Sequence, residues 1–189
     1  MNIVYGGSFN PPTNAHKMII ENLYKIFKPE NIIVVPVGDS YTKMKVIEYK
    51  HRFNMAKLLD ERITVSTLEN SDTYKGTFHL LNELSKKYDD LHYVIGSDNL
   101  IHLDEWIDYK KLLKKYKFIV FNRHNIDVKD VIMEKYYDYA RQFTVINVDY
   151  PISSTKFRAT KNRDLLPKEI WNYIVENELY GVKKWEMDF

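Results

Sequence analysis

The chain has 189 residues, 44% hydrophobic and 29% charged, which is the make-up of a soluble globular chain with one sizeable core and argues against disorder. A formal charge of +2 is too near neutral to mark a nucleic-acid-binding surface, and with no cysteine there can be no disulfide, thiol catalysis or thiolate metal site. No basic segment followed by a long apolar one opens the chain and no window approaches 18 apolar residues, so a cytoplasmic protein with no membrane partner is expected.

In chain order, NIVY at 2–5 predicts a first buried strand, and NAHKMIIENLYKIF at 14–27, closed by Pro29, predicts a helix. A second strand follows at 31–37, a helix at 49–61, a third strand at 62–66 and a helix at 76–88. LHYVIG at 91–96 is the fourth strand, followed by a helix over 104–116. KFIVFN at 117–122 is the fifth, followed by a helix over 127–140, and FTVINV at 143–148 is the sixth. Strand alternating with helix predicts an α/β fold, a doubly wound parallel sheet with helices on both faces. After 149 two helical stretches come with no strand between them. Pro167 suits the first turn of the second and Gly181 lies just beyond its end. No repeat or linker interrupts the chain. Residues 1–189 therefore read as a single domain, with 150–189 as its small helical C-terminal extension. The lysines of KKLLKKYK at 110–117 read as a solvated helix face.

In such a sheet ligands bind at the carboxyl ends of the strands, where strand order reverses. Three unusual segments fall at strand ends: GGSFNPPTNAH after the first, GSDNL after the fourth and YPISSTKFR after the sixth. In the first, the amides of Gly6, Gly7 and Ser8 and the side chain of His16 could meet phosphate oxygens at a helix N-terminus. A tight turn beside a surface histidine would use the same residues. In the third, Ser153, Ser154 and Thr155 stand at a helix start, where they also suit ordinary capping. Arg158, one turn further on, is the group that suits a polyphosphate. The remaining histidines, His51, His79, His92, His102 and His124, show no metal-ligand spacing and are expected at the surface or at caps.

These segments resemble the motifs of the nucleotidylyltransferase superfamily: G-x-F-(D/N)-P-x-(H/T)-x-(G/A)-H at the start and I-S-S-T-x-x-R late in the chain. Between them, Gly96, Asp98, Leu103 and Trp106 fit G-x-D-x-x-x-x-L-x-x-W, which is similar to the nicotinate and nicotinamide mononucleotide adenylyltransferases. The resemblance runs from Ile3 to about Tyr180. It implies a Rossmann-like sheet and transfer of AMP from ATP to nicotinic acid mononucleotide, with nicotinamide mononucleotide as a further acceptor, releasing pyrophosphate. For ATP it implies Gly6, Gly7, Ser8, Phe9, Thr13, His16, Gly96, Asp98, Arg123, Ile152, Ser153, Ser154, Thr155 and Arg158. For the mononucleotide it implies Lys43, Lys45, Thr77 and Trp106. His16, Arg158 and Lys43 would serve catalysis, with a Mg²⁺ ion held chiefly by the triphosphate.

Thr13 occupies a position more often held by histidine, and a threonine there looks more like the phosphopantetheine adenylyltransferases, which makes that branch the second reading. Ala15 replaces a glycine. Near Tyr74 and Thr77, where the family reads Y-T-x-D-T, Gly76 replaces the aspartate. Without the resemblance, Trp106 would read as a core residue of an amphipathic helix, and Lys43 and Lys45 as part of a solvated loop. A nucleotide-sensing protein that has lost catalysis is the third reading. Nothing in the sequence indicates an oligomeric state.

Overall fold

The computed structural model describes residues 1–41, 46–71, 73–122, 126–148 and 151–184. Six strands form one sheet: β1 (Asn2–Gly7), β2 (Asn31–Pro36), β3 (Thr64–Val65), β4 (Leu91–Gly96), β5 (Lys117–Asn122) and β6 (Phe143–Asn147). Their order is β3-β2-β1-β4-β5-β6, and every neighbouring pair is parallel. Crossover helices cover both faces, which is why β1, β2, β4 and β5 are near-continuous apolar runs. The helices are α1 (Asn14–Phe27), α2 (Tyr49–Lys57), α3 (Thr77–Leu84), α4 (Ser97–Ile101), α5 (Tyr109–Lys115), α6 (Val128–Lys135), α7 (Ser154–Thr160) and α8 (Lys168–Glu176). Among the described residues none is long and apolar enough to cross a membrane.

The period of two along each strand divides the core. Ile3, Tyr5, Ile32, Val34, Val94, Ile119 and Phe121 face one side and pack with Leu23 of α1, Met55 of α2, Phe157 of α7 and Ile170 and Ile174 of α8. Val4, Ile33, Val35, Tyr93, Ile95 and Val120 face the other, with Leu81 of α3, Leu112 of α5 and Ile132 of α6. The C-terminal helices thus share the cluster built on β1, where Ile174 is fully buried.

Besides the helices expected over 49–61 and 76–88, which already end at Lys57 and Leu84, the structure departs from the sequence expectations in four places. The helix expected over 104–116 is broken: a 3₁₀ turn at Leu103–Glu105 leads to an extended Trp106, Asp108 takes a left-handed φ of 58°, and α5 begins only at Tyr109. An aspartate tolerates that conformation better than most residues, so the break falls where its cost is low. The helix expected over 127–140 stops at Lys135, because Tyr136 turns into the core. There its hydroxyl donates to the Leu100 carbonyl at 2.9 Å and accepts from the Asp104 amide at 3.0 Å. The run at 62–66 forms only a two-residue edge strand.

His92, expected at the surface, lies buried within β4, with Nε2 3.2 Å from an Asp90 carboxylate oxygen. Burial lowers its pKa against the opposing pull of Asp90. His79 and His102 are exposed, His51 bonds the Tyr173 hydroxyl at 3.0 Å, and His124 lies outside the described residues.

Because α8 completes the core behind β1, Ile174→Ala should lower unfolding free energy by about 2–5 kcal/mol. Chemical denaturation checks this; a loss of only a few tenths would show that α8 is an appendage.

Candidate active site

β1 pairs with β2 as far as Gly7↔Pro36, but with β4 only as far as Tyr5↔Val94. The two central strands therefore part at Gly6, where strand order reverses, and a cleft of about 360 Å³ opens between them. Gly6, Gly7, Ser8 and His16 line it from the first motif, and Gly96, Asp98 and Asn99 from the end of β4 and the start of α4. Trp106 lines it too, as do Ile152, Ser153, Ser154, Thr155 and Arg158. Twelve of the sequence-predicted residues thus meet in one place, drawn from four parts of the chain.

The first motif turns sharply after β1. Phe9 adopts a left-handed φ of 47° and points inward, its ring 5.5 Å from that of Tyr5 and 5.2 Å from the His16 imidazole. Thr13 is the N-cap of α1 and is fully buried. Its backbone amide donates to His16 Nδ1 at 3.0 Å, and its Oγ1 lies 2.9 Å from the same nitrogen. A nitrogen that accepts from an amide holds a lone pair there, so the proton of the neutral ring is on Nε2. Thr13 and Phe9 thus support the site from behind and do not reach the cleft lining.

The late motif is bound directly onto the early one. Ser153 caps α7, accepting the Lys156 amide at 3.1 Å. Ser154 Oγ donates to the Pro11 carbonyl at 2.8 Å, and Arg158 donates to the Asn10 carbonyl at 2.7 Å and to Thr155 Oγ1 at 3.1 Å. From the C-terminal end, the Tyr180 hydroxyl donates to Asn10 Oδ1 at 2.9 Å. Burial holds that phenol well above its ordinary pKa, with Arg158 and Arg52 pulling the other way, so it stays a neutral donor.

Arg52 is one of the residues that sequence reasoning missed. Its side chain is fully buried, and Nε donates to the Ile47 carbonyl at 3.0 Å. Nη1 donates to the carbonyls of Ser8 (3.1 Å) and Val37 (2.7 Å), and Nη2 pairs with Asp39 at 2.6 Å. A buried guanidinium is tolerated only when so fully paired, and here the pairing joins the loop after β1 to the loop after β2. In the sequence it reads as one more polar residue of an ordinary helix, since its partners are mainly backbone carbonyls and carry no signature.

Trp106 stands before α5 and not on it, half-buried and edge-on to Tyr93, with ring centroids 6.2 Å apart at 83°. Tyr93 also lines the cleft, and its signal was indirect: a Cβ built on Gly6 would lie 2.1 Å from the Tyr93 hydroxyl. Thr77 is buried at the start of α3 and does not line the cleft. Gly76 before it has a φ of 89°, and a Cβ there would come within 2.9 Å of Ile107. Lys43, Lys45 and Arg123 lie outside the described residues. Among the described residues no three His, Asp or Glu side chains form a metal-holding group, and Asp98 is the carboxylate in the cleft lining.

Residues 4–160 match the model of the cytidylyltransferase-like family. The chain is 42% identical over 186 residues to a "probable nicotinate-nucleotide adenylyltransferase" of Acholeplasma laidlawii, a match covering 95% of this chain and 97% of that one. It is 31% identical to the protein of the same name from Fusobacterium nucleatum, with 85% and 88% covered. The fold is shared with a Plasmodium falciparum nicotinic acid mononucleotide adenylyltransferase solved in complex with NaAD, at a TM-score of 0.78, 23% identity and coverage of 97% and 98%.

Gly6→Ala should be destabilising by about 1–3 kcal/mol, because the new methyl and the Tyr93 hydroxyl cannot share one position. Adding Tyr93→Phe should restore part of that loss, and thermal unfolding of both variants measures it. Equal destabilisation with and without the hydroxyl would refute the steric account.

Proposed function

The chain belongs to the nicotinate-nucleotide adenylyltransferases, within the cytidylyltransferase-like family, and we propose that the cleft between β1 and β4 is where it joins its two substrates. The reaction moves AMP from ATP to nicotinic acid mononucleotide, giving the dinucleotide and pyrophosphate, a step of NAD biosynthesis. The observation that carries the site assignment is the direct bonding of Ser154 and Arg158 to the carbonyls of Pro11 and Asn10, which makes one wall of the two motifs.

In this reading a phosphate oxygen of the mononucleotide attacks the α-phosphorus of ATP in line. A bond from that oxygen to phosphorus forms, the bond from phosphorus to the bridging oxygen breaks, and the electron pair leaves on pyrophosphate. The phosphate monoester is already anionic, so no general base and no covalent intermediate is needed. The chain has to align two polyanions and stabilise charge on the transferring phosphoryl group. His16, with its proton on Nε2, donates to that group, and Arg158, held by Asn10 and Thr155, supplies fixed positive charge. Ser153, Ser154 and Thr155 lie on the triphosphate side and Trp106 on the pyridine side. Lys43 is the further cation implied by the family resemblance. Mg²⁺ is proposed to arrive as part of the ATP complex. Among the described residues the lining has a single carboxylate, which fits an ion carried mainly by the nucleotide's own phosphates. The proposed setting is the cytoplasm.

Thr13 loses its weight as a sign of the phosphopantetheine branch, since its contact with His16 Nδ1 is independent of the acceptor. An aromatic ring at the acceptor end of the cleft suits a pyridine nucleotide.

With ATP and Mg²⁺, pyrophosphate release is expected with nicotinic acid mononucleotide and to a smaller extent with nicotinamide mononucleotide. Turnover with phosphopantetheine alone would overturn the reading. His16→Ala should reduce turnover by about 100-fold or more, the usual consequence of removing a transition-state donor, with an unchanged circular dichroism spectrum. Near wild-type turnover would remove His16 from the chemistry.

A further inference from the structure

We propose that Tyr93 is a substrate-binding residue of this cleft, its hydroxyl forming a hydrogen bond with the ribose-phosphate half of the acceptor mononucleotide. The inference rests on the function proposed above and adds a contact made by this chain's own side chain.

Tyr93 sits in the middle of β4, and strand alternation sends its side chain to the face covered by α3 and α5, where its ring belongs to the apolar cluster with Val35 and Ile95. The ring is long enough to run along that face to the carboxyl edge of the sheet. Its oxygen ends where a Gly6 side chain would otherwise be, 2.1 Å from the Cβ position, and the residue borders the cleft although it is only 7% exposed. A buried aromatic body with a polar tip at a cleft wall is the arrangement by which tyrosine contributes both packing and a hydrogen bond.

The position of that tip relative to the two substrates carries the argument. His16, Ser154 and Arg158 approach from the side of the sheet covered by α1 and α7, the side of the Ile3 and Tyr5 cluster. Trp106 approaches from the opposite side, packed against the Val4 and Val35 cluster. The triphosphate half and the pyridine half of the cleft are therefore on opposite faces of the sheet, and they meet over the gap between β1 and β4. A mononucleotide whose ring rests at Trp106 has to carry its ribose and phosphate across that gap to reach the α-phosphorus. The Tyr93 hydroxyl stands in the crossing beside Gly6, and the Trp106 ring lies edge-on to the Tyr93 ring with centroids 6.2 Å apart.

A phenol hydroxyl has one donor and two acceptor sites, so it can serve a ligand in addition to any partner within the protein. It carries no charge, and it contacts a part of the acceptor remote from the α-phosphoryl oxygens. Its contribution is therefore to acceptor binding, with little effect on the chemical step once both substrates are bound. Since nicotinic acid and nicotinamide mononucleotides share their ribose-phosphate, it should not discriminate between them.

Tyr93→Phe removes the oxygen and keeps the ring. The KM for nicotinic acid mononucleotide, and its Kd by calorimetry, should rise by about 5–10-fold, the scale of one lost neutral hydrogen bond. The KM for nicotinamide mononucleotide should rise by the same factor, while kcat, the KM for ATP and the thermal midpoint stay at their wild-type values. An unchanged KM and Kd for the mononucleotide overturns the proposal, as does an effect confined to ATP. A lowered thermal midpoint with wild-type acceptor binding would assign the hydroxyl to packing alone. Failure of the underlying reading is visible separately, in a wild-type chain that neither binds nor turns over either pyridine mononucleotide.

Discussion

Everything in this site depends on β1 and β4 ceasing to pair while β1 continues alongside β2. From Asn2 to Tyr5 the first strand is held on both sides; at Gly6 and Gly7 it is held on one. The chain leaves β1 for α1 on one face of the sheet, and leaves β4 for elements packed on the other face. No crossover then covers the gap, and backbone polar groups at the strand ends face a cleft and not a core. Glycine at position 6 is a packing requirement of that arrangement, since the Tyr93 hydroxyl occupies the place of its side chain.

The loops around the gap are held by side chains that donate to backbone carbonyls. Arg52 takes Ser8, Val37 and Ile47; Arg158 takes Asn10; Ser154 takes Pro11. A guanidinium suits this work because its five donors have fixed directions and its charge does not depend on pH. The carbonyls of an irregular loop need donors when buried, and distant parts of the chain provide them. The first motif is therefore shaped by residues from α2, α7 and the C-terminal end, so α7 is part of the cleft wall as well as of the core, and α8 of the core.

A cleft proposed to take ATP and a phosphate monoester needs well-placed donors more than a basic chain. Among the described residues Arg158 balances Asp98, the one carboxylate of the cleft lining, while the chain as a whole carries only +2. The placement of a few groups in a concave, partly desolvated space is worth more than net charge, because interactions there are less screened. The neutral His16 tautomer adds a directed donor instead of another charge, and Thr13 enforces it.

Much of this was legible beforehand. Five of the six strands, the helix from Asn14 to Phe27 and the three motif segments follow from local pattern: apolar runs of strand length, a helical period, glycines and prolines at strand ends. His16, Ser153, Ser154, Thr155, Arg158 and Trp106 were identified as site residues, and they share one cleft. The residue types of those motifs pointed to a phosphate-binding site, and the reaction followed from their resemblance to the nucleotidylyltransferases. Only the tertiary structure could decide that Phe9 and Thr13 brace the cleft from behind, that Trp106 stands free of α5, that His92 is buried, and that Arg52 and Tyr93 matter. Those are properties of contacts between segments far apart in the chain. A local period states which face of an element is apolar; it does not state which distant carbonyl a buried arginine will meet, or which glycine leaves room for a tyrosine's oxygen.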